Sequence, residues 1–176
     1  PEFYTRAPKA EAKRSFGIES EHQHLVAMTG SIGCGPLREL TETLAETMTY
    51  EQELTVVCGA NEKLHRHLAS RYAGQANIHI LGFEKNVSLL LDSADLYLTK
   101  PGGISVTEAA AKALPMVLID AIAAVEEYNL GFFTKAGAAV TAGTPEELAA
   151  CCLELLAEPE RRAEMSAAIA KAVPLN

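Results

Sequence analysis

Short apolar runs alternate with longer amphipathic stretches along most of the chain. From about residue 24 onward, runs of roughly five residues rich in Val, Ile and Leu are separated by stretches in which apolar residues recur with helical period. This alternation is the pattern of a parallel sheet whose strands are joined by crossover helices. It predicts an α/β fold, a three-layer, Rossmann-like parallel sheet flanked by helices.

The pattern also places the individual elements. Strands are predicted at 24–28, 54–58, 78–81, 95–98, 116–119 and 138–140. Helices are predicted at 37–48, 62–72, 87–92, 103–113, 126–136, 145–156 and 160–172. Residues 1–23 are predicted to be a polar lead-in with one helical turn at 9–14. Pro36 and Pro145 begin helices, Gly137 ends one, and Thr144 with Glu147 forms a capping box.

The composition and net charge of the chain limit the classes of partner that it is expected to bind. The 176 residues suit one domain, 48% are hydrophobic, and 15 Lys+Arg against 23 Asp+Glu give a net charge of −8. With no basic patch, we expect no nucleic-acid partner. The longest nearly apolar run, 114–125, contains Asp120 and is shorter than the roughly 20 residues of a membrane span. We therefore expect a small-molecule or protein partner and no transmembrane segment.

The cysteine spacing and the sequence of residues 1–20 bear on the cellular compartment in which the protein is expected. Cys34, Cys58, Cys151 and Cys152 include no C-x-x-C pair, which favours reduced thiols of an intracellular protein. Residues 1–20 lack the apolar segment of a secretory signal. We expect a cytoplasmic protein, peripheral at the membrane in its full-length form.

The loop after the first predicted strand is rich in glycine. Its sequence TGSIGCGP (29–36) includes Gly33 and Gly35, and such a loop can point backbone N–H groups at an anion before a helix N-terminus. A tight turn with no ligand would look the same. The order G-x-x-G-x-G differs from the dinucleotide fingerprint, and no acidic residue ends the second strand. A nicotinamide-dependent oxidoreductase is therefore a weaker alternative.

A second glycine-rich loop follows the fourth predicted strand. Gly102, Gly103 and Ile104 lead into a helix, where bare amides permit close approach of a phosphate, and Lys100 adds a positive charge. Glu108 lies about one turn into that helix, where a carboxylate can accept hydrogen bonds from both hydroxyls of a ribose. A solvated acidic residue favoured by the helix dipole would give the same pattern.

Three other loops carry weaker signals. Gly82 permits an unusual backbone conformation, and Phe83 offers an apolar platform for a base. Glu126 and Asn129 lie in the first turns of a predicted helix, where carboxylates also serve ordinary capping. Asn61 is a predicted N-cap.

The sequence contains few residues in a spacing that could bind a metal ion. Asp occurs only at Asp92, Asp95 and Asp120, with no D-x-D pair to hold a divalent ion on a diphosphate. His65 and His67 lie two apart on a predicted helix and so face different directions. We expect no metal site and no cofactor.

Several of these motifs together resemble one enzyme family. They are GCGP (33–36), VVCGAN (56–61), LGF (81–83) and, above all, DLYLTKPGGISVTE (95–108) followed by ALPM (113–116). They are similar to the C-terminal, donor-binding domain of GT-B glycosyltransferases of the monogalactosyldiacylglycerol synthase and processive diacylglycerol glucosyltransferase family, which is related to MurG. The resemblance covers nearly the whole chain and divides it into an interdomain lead-in, 1–23, and a UDP-sugar-binding domain, 24–176.

The resemblance implies a UDP-sugar donor and a lipid acceptor such as diacylglycerol. Glu108 would hold the ribose, the region of Gly82 and Phe83 would meet uracil through its backbone, and the amides around Gly102, Gly103 and Ile104 would hold the diphosphate. Glu126 and Asn129 match a family motif, Pro-Gly-Gln-Glu-x-x-Asn, in which the Gln and Glu contact the sugar. The implied reaction is inverting hexosyl transfer.

Two departures from the family pattern leave an alternative open. Ala123, Ala124 and Val125 replace the Pro-Gly-Gln of the motif, which removes an amide expected at a sugar hydroxyl. The acceptor site and catalytic base belong, by resemblance, to an N-terminal domain that this sequence lacks. We expect the isolated chain to bind nucleotide without transferring sugar, and a catalytically silent UDP-sugar-binding module is the alternative.

Overall fold

The structure is a computed structural model that describes residues 2–29, 36–119 and 124–175. Strands and helices alternate through most of its length. The strands are β1 (Gln23–Met28), β2 (Gln52–Val57), β3 (Ile78–Leu81), β4 (Leu96–Thr99), β5 (Met116–Leu118) and β6 (Ala139–Thr141). The helices are α1 (Lys9–Ser15), α2 (Leu37–Thr47), α3 (Glu62–Arg71), α4 (Val87–Ser93), α5 (Gly103–Ala111), α6 (Ala124–Lys135), α7 (Pro145–Ala157) and α8 (Pro159–Ala172).

The predicted elements are confirmed, with small shifts at their ends. Gly137 ends α6 with φ +78°, and the Thr144 hydroxyl accepts the Glu147 N–H at 3.1 Å at the start of α7. Asn61 caps α3 in the same way by accepting the Leu64 N–H at 3.0 Å. The fourth strand begins at Leu96, one residue later than predicted.

The strands form one parallel sheet in the order β3-β2-β1-β4-β5-β6. The chain builds outward from β1 to β3 and then crosses back to β4, which pairs with the other side of β1. In open sheets of this kind the crevice for a ligand lies at the carboxyl ends of the strands where the order reverses. In this sheet the order reverses between β1 and β4, so the expected crevice lies at the carboxyl ends of these two strands.

Helices cover both faces of the sheet and make three layers. Leu25 and Ala27 of β1 face the layer of α2, α3 and α7, whereas Val26 and Met28 face the layer of α4, α5 and α6. Because every strand position from 24 to 28 is buried on one face or the other, the strand is a nearly continuous apolar run. Among the described helices, none is long and apolar enough to cross a membrane.

The amino-terminal segment packs against the sheet more closely than its polar sequence indicates. The single predicted turn at 9–14 is a helix of seven residues, α1, which lies against α4. Ala12 and Ile18 are buried, and the buried Lys13 ammonium donates to the His22 carbonyl at 2.6 Å and to Asp95 at 3.0 Å. This segment thus packs on the same core as the sheet that follows it.

Candidate nucleotide site

A cavity of about 440 Å³ opens at the carboxyl ends of β1, β2 and β4, where the strand order reverses. Its floor is apolar and its rim carries the glycine-rich turn before α5. The lining residues are Met28, Val57, Gly59, Phe83, Glu84, Val87, Lys100, Gly102, Gly103, Ile104, Ser105 and Glu108. A concave site of this size, mostly apolar with a few convergent polar groups, is typical of a small-molecule site.

The N-terminus of α5 opens into this cavity without a side-chain cap. Gly102 is the N-cap residue, in extended conformation with φ −72° and ψ 144°, and it offers no side chain to accept a hydrogen bond from the first turn. Apart from its chain neighbours and the nearby backbone of α5 itself, no described residue lies within 4 Å of a Cβ placed on Gly103. The first N–H groups of a helix have no partner within the helix and concentrate positive potential. This end of α5 therefore suits an anion.

Two side chains of helix α6 contact the residues immediately before Gly102. The Lys100 ammonium lies 3.5 Å from a carboxylate oxygen of Glu126. Asn129 donates its Nδ2 hydrogen to the Pro101 carbonyl at 3.0 Å. The predicted residues Glu126 and Asn129 thus contact the glycine turn, although neither is among the described residues that line the cavity.

Glu108 lies on the second turn of α5 and lines the cavity with a partly exposed side chain. Beneath it, Tyr97 of β4 is fully buried with its hydroxyl beside those of Thr99 and Ser105. Burial raises the pKa of Tyr97 well above its usual value, and the Glu108 charge raises it further. Tyr97 therefore stays neutral in the core next to α5.

The loop after β3 forms the opposite rim of the cavity. Phe83 lines the cavity and is 70% exposed, in accord with a platform open to a ligand. Glycine permits an unusual backbone conformation at Gly82, but this residue does not have a positive φ. The left-handed conformation occurs at Gly59, with φ +60°, whose N–H donates to the Gly82 carbonyl at 3.0 Å. The special turn thus follows β2 rather than β3.

The structure brings most of the predicted residues together. Phe83, Lys100, Gly102, Gly103, Ile104 and Glu108 share the cavity, while Gly33, Gly35 and Ala123 lie outside the described residues. Sequence reasoning missed the apolar floor formed by Met28, Val57 and Val87. Each of these residues fits an ordinary core pattern, so only the topology distinguishes it.

A second cavity, of about 380 Å³, lies at the amino ends of β4 and β5 and is lined by Arg6, Lys9, Asp92, Asp95, Lys112 and Arg162 among others. These charges are already partnered: Lys9 with Asp95 at 3.0 Å, and Lys112 with Asp92 at 2.9 Å. Arg162 donates to the carbonyls of Leu155 and Leu156. The candidate site is therefore the cavity at the carboxyl ends.

Known glycosyltransferases are similar to this chain in sequence. The sequence profile described as "Glycosyl transferases group 1" matches residues 37–172. Over 167 residues the chain is 30% identical to processive diacylglycerol beta-glucosyltransferase of Bacillus pumilus (strain SAFR-032), in an alignment that covers 94% of this chain and 43% of that enzyme. The chain thus spans less than half the length of this relative.

Solved structures share the fold. MurG of Acinetobacter baumannii superimposes with a TM-score of 0.73 at 21% identity, over 96% of this chain and 50% of that one. Anabaena Alr3699/HepE, solved in complex with UDP and glucose, gives 0.74 at 16% identity, over 97% and 49%. Together with the family match, these similarities show that the chain belongs to the glycosyltransferase group 1 family and has the fold of a GT-B C-terminal domain.

Proposed function

We propose that this chain binds the donor, a UDP-hexose, of a glycosyltransferase that transfers the sugar to a lipid acceptor such as diacylglycerol. The observation on which the proposal rests is the convergence in one cavity of the uncapped α5 N-terminus, the Glu108 carboxylate and the exposed Phe83 ring. An anion site, a hydroxyl acceptor and a base platform are the three parts that a nucleoside diphosphate requires.

Each part has an assigned role in the proposal. The diphosphate lies on the amides of Gly102, Gly103 and Ile104, with the Lys100 ammonium nearby. Glu108 accepts hydrogen bonds from the two ribose hydroxyls. Uracil lies by Phe83 and the backbone of Gly82. The name of the Bacillus relative and the presence of UDP in the HepE structure support the lipid acceptor and the nucleotide.

The proposed reaction is an inverting displacement. The acceptor hydroxyl oxygen attacks the anomeric carbon and forms the new glycosidic bond as the bond between that carbon and the UDP oxygen breaks. The electron pair leaves with the diphosphate, and the hydroxyl proton passes to a base, which the family resemblance assigns to an N-terminal domain. Amides fixed at the α5 N-terminus stabilise the negative charge that develops on the leaving group.

A departure from the family motif, at the position expected to contact the sugar, supports a second candidate function. Val125 stands where the family motif has Gln, and its side chain is 67% exposed on the first turn of α6. Without that amide, the chain is a candidate for a module that holds UDP-sugar without transferring it. A lipid-dependent transfer assay on the full-length protein separates the two functions, because only an enzyme forms glycolipid. The chain alone is expected to form none.

Calorimetric titration of the chain with UDP and, separately, with NAD tests the proposal. UDP should bind with or without EDTA, because main-chain amides rather than a metal neutralise the phosphates. NAD should bind more weakly. Loss of UDP binding in EDTA, or a preference for NAD, would contradict the proposal.

A further inference from the structure

Asn129 makes one hydrogen bond that joins α6 to the turn before α5. Its Nδ2 group donates to the carbonyl oxygen of Pro101, 28 residues away in sequence, with 3.0 Å between the nitrogen and the oxygen. Pro101 is a buried residue and the bond to its carbonyl is partly buried, and leaving a buried carbonyl without a partner is costly. The bond therefore fixes the carbonyl at the residue immediately before Gly102.

This bond also sets the direction of the next N–H group. No described peptide bond is cis, and in a planar trans peptide the carbonyl and the following N–H point in opposite directions. Because the Pro101 oxygen points toward α6, where it accepts the hydrogen bond from Asn129, the Gly102 N–H points away from α6. Gly102 lines the cavity, whereas Asn129 is not among the described residues that line it. The side of the peptide opposite Asn129 is therefore the ligand side.

We propose that Asn129 is a positioning residue that orients the Pro101–Gly102 peptide so that the Gly102 N–H faces the diphosphate. The inference rests on the proposed function and assigns Asn129 to the support of the phosphate turn, a role that the family motif does not give it.

The turn needs such support because of its composition. The backbone dihedral angles of two successive glycines are less restricted than those of other residues. The Pro101–Gly102 peptide plane can therefore flip, because Gly102 has no Cβ to clash with it. The second fastening is the Lys100–Glu126 ion pair, and the Lys100 side chain lies 3.6 Å from a Cβ placed on Gly102. Helix α6 thus holds the turn at the two residues immediately before Gly102.

A series of three ligands distinguishes positioning from sugar contact. Uridine, UDP and UDP-glucose would be titrated into the wild-type chain, into Asn129→Leu, which keeps the approximate size without a donor, and into Asn129→Ala. Glu127→Gln, a change in the same stretch of α6, is the matched control. Urea unfolding of each variant checks that it is folded.

The expected result is a fivefold to tenfold weaker affinity for both UDP and UDP-glucose in the Asn129 variants, with uridine binding unchanged. Loss for UDP-glucose alone would overturn the inference in favour of a direct sugar contact. Equal loss for uridine, or no loss at all, would overturn it as well. If wild-type chain fails to bind UDP, the proposed function fails and the inference fails with it.

If both Asn129 variants are unfolded, an amide NMR titration of the wild-type chain tests the inference instead. The Gly102 N–H resonance is expected to shift on adding UDP and not on adding uridine, and the Asn129 side-chain resonances are expected to shift equally with UDP and UDP-glucose. A Gly102 resonance that does not respond to UDP would overturn the inference.

Discussion

The two ends of the parallel sheet differ in how their polar groups are satisfied. At the amino end, the Asp95 carboxylate accepts the His24 N–H at 2.9 Å and the Lys13 ammonium at 3.0 Å. At the carboxyl end, the first turn of α5 has no side-chain cap and opens into a cavity. Buried groups that find partners within the chain stabilise the fold, and groups left open at a concave surface are available to a ligand.

The amino end also holds two further buried groups in fixed states. Burial lowers the pKa of His24 to about 4, and its neutral ring lies 2.7 Å from the Thr55 hydroxyl and 3.2 Å from the Ser93 carbonyl. Burial opposes ionisation of Glu53, but hydrogen bonds from His79, the Glu19 N–H and His22 outweigh it and lower the pKa of Glu53. These groups contact one another or the backbone, so this end of the sheet has a structural role.

The largest expected effect is on stability, at the amino end. Asp95→Ala leaves Lys13, whose side chain is 5% exposed, without its carboxylate. Leaving a buried charge unpaired costs about 3–5 kcal/mol. Urea denaturation should show this loss, while UDP affinity of the folded variant stays unchanged.

The matched control is Lys9→Ala. Lys9 pairs with the same carboxylate but is 52% exposed, so its removal should cost no more than about 1 kcal/mol. Equal costs for the two variants would contradict the distinction between a buried partner and an exposed one.

The next effect is on binding, at the carboxyl end. Glu108→Ala should weaken UDP binding by about 1–3 kcal/mol, because it removes a charged hydrogen-bond acceptor from the ribose hydroxyls. Binding of 2′,3′-dideoxy-UDP, which lacks those hydroxyls, should change little. Equal losses for both nucleotides would show that Glu108 acts on something other than ribose.

Acid is expected to weaken the fold through His24. Its pKa is about 4 in the folded chain against an ordinary value of 6.5, so the neutral ring stabilises the fold above pH 6.5 and that stability is lost as the pH falls toward 4. The loss between about pH 7 and pH 5 should be about 2 kcal/mol. Asp95 and Glu53, whose pKa values are also lowered, act in the same direction at lower pH.

Urea unfolding as a function of pH measures this effect. The variant His24→Asn, which has no titrating ring, should show a flatter profile between about pH 7 and pH 5 than the wild-type chain. Identical slopes would indicate that His24 does not set the acid sensitivity.

The smallest expected effect is at the sugar end. Val125→Gln restores an amide on an exposed position of α6, and one new hydrogen bond contributes about 0.5–1.5 kcal/mol. UDP-hexose should then bind more tightly relative to UDP. Glu127→Gln, in the same stretch of α6, is the control, and an unchanged ratio in Val125→Gln would place the loop away from the sugar.

Local patterns in the sequence are sufficient for the fold and for the open end of α5. Apolar runs predict the six strands, and the glycine pair before Ile104 predicts a helix start with bare amides. The burial of Lys13 in helix α1 does not follow from such patterns, because its partner is Asp95, 82 residues away. No local pattern indicates such a pairing.

The contact between Asn129 and Pro101 is hidden from the sequence for the same reason, since it depends on how α6 packs behind the turn. The left-handed residue is Gly59 rather than Gly82, and sequence alone does not distinguish them, because both glycines follow strands.

The most direct test of the contrast between the two ends is an amide NMR titration of the wild-type chain with UDP. We predict shifts at Gly102, Gly103, Ile104 and Glu108, together with Phe83 across the cavity. We predict none at His24, Glu53 and Asp95. Shifts concentrated at the amino end, or an unperturbed α5 N-terminus with UDP bound, would contradict the assignment of the nucleotide site.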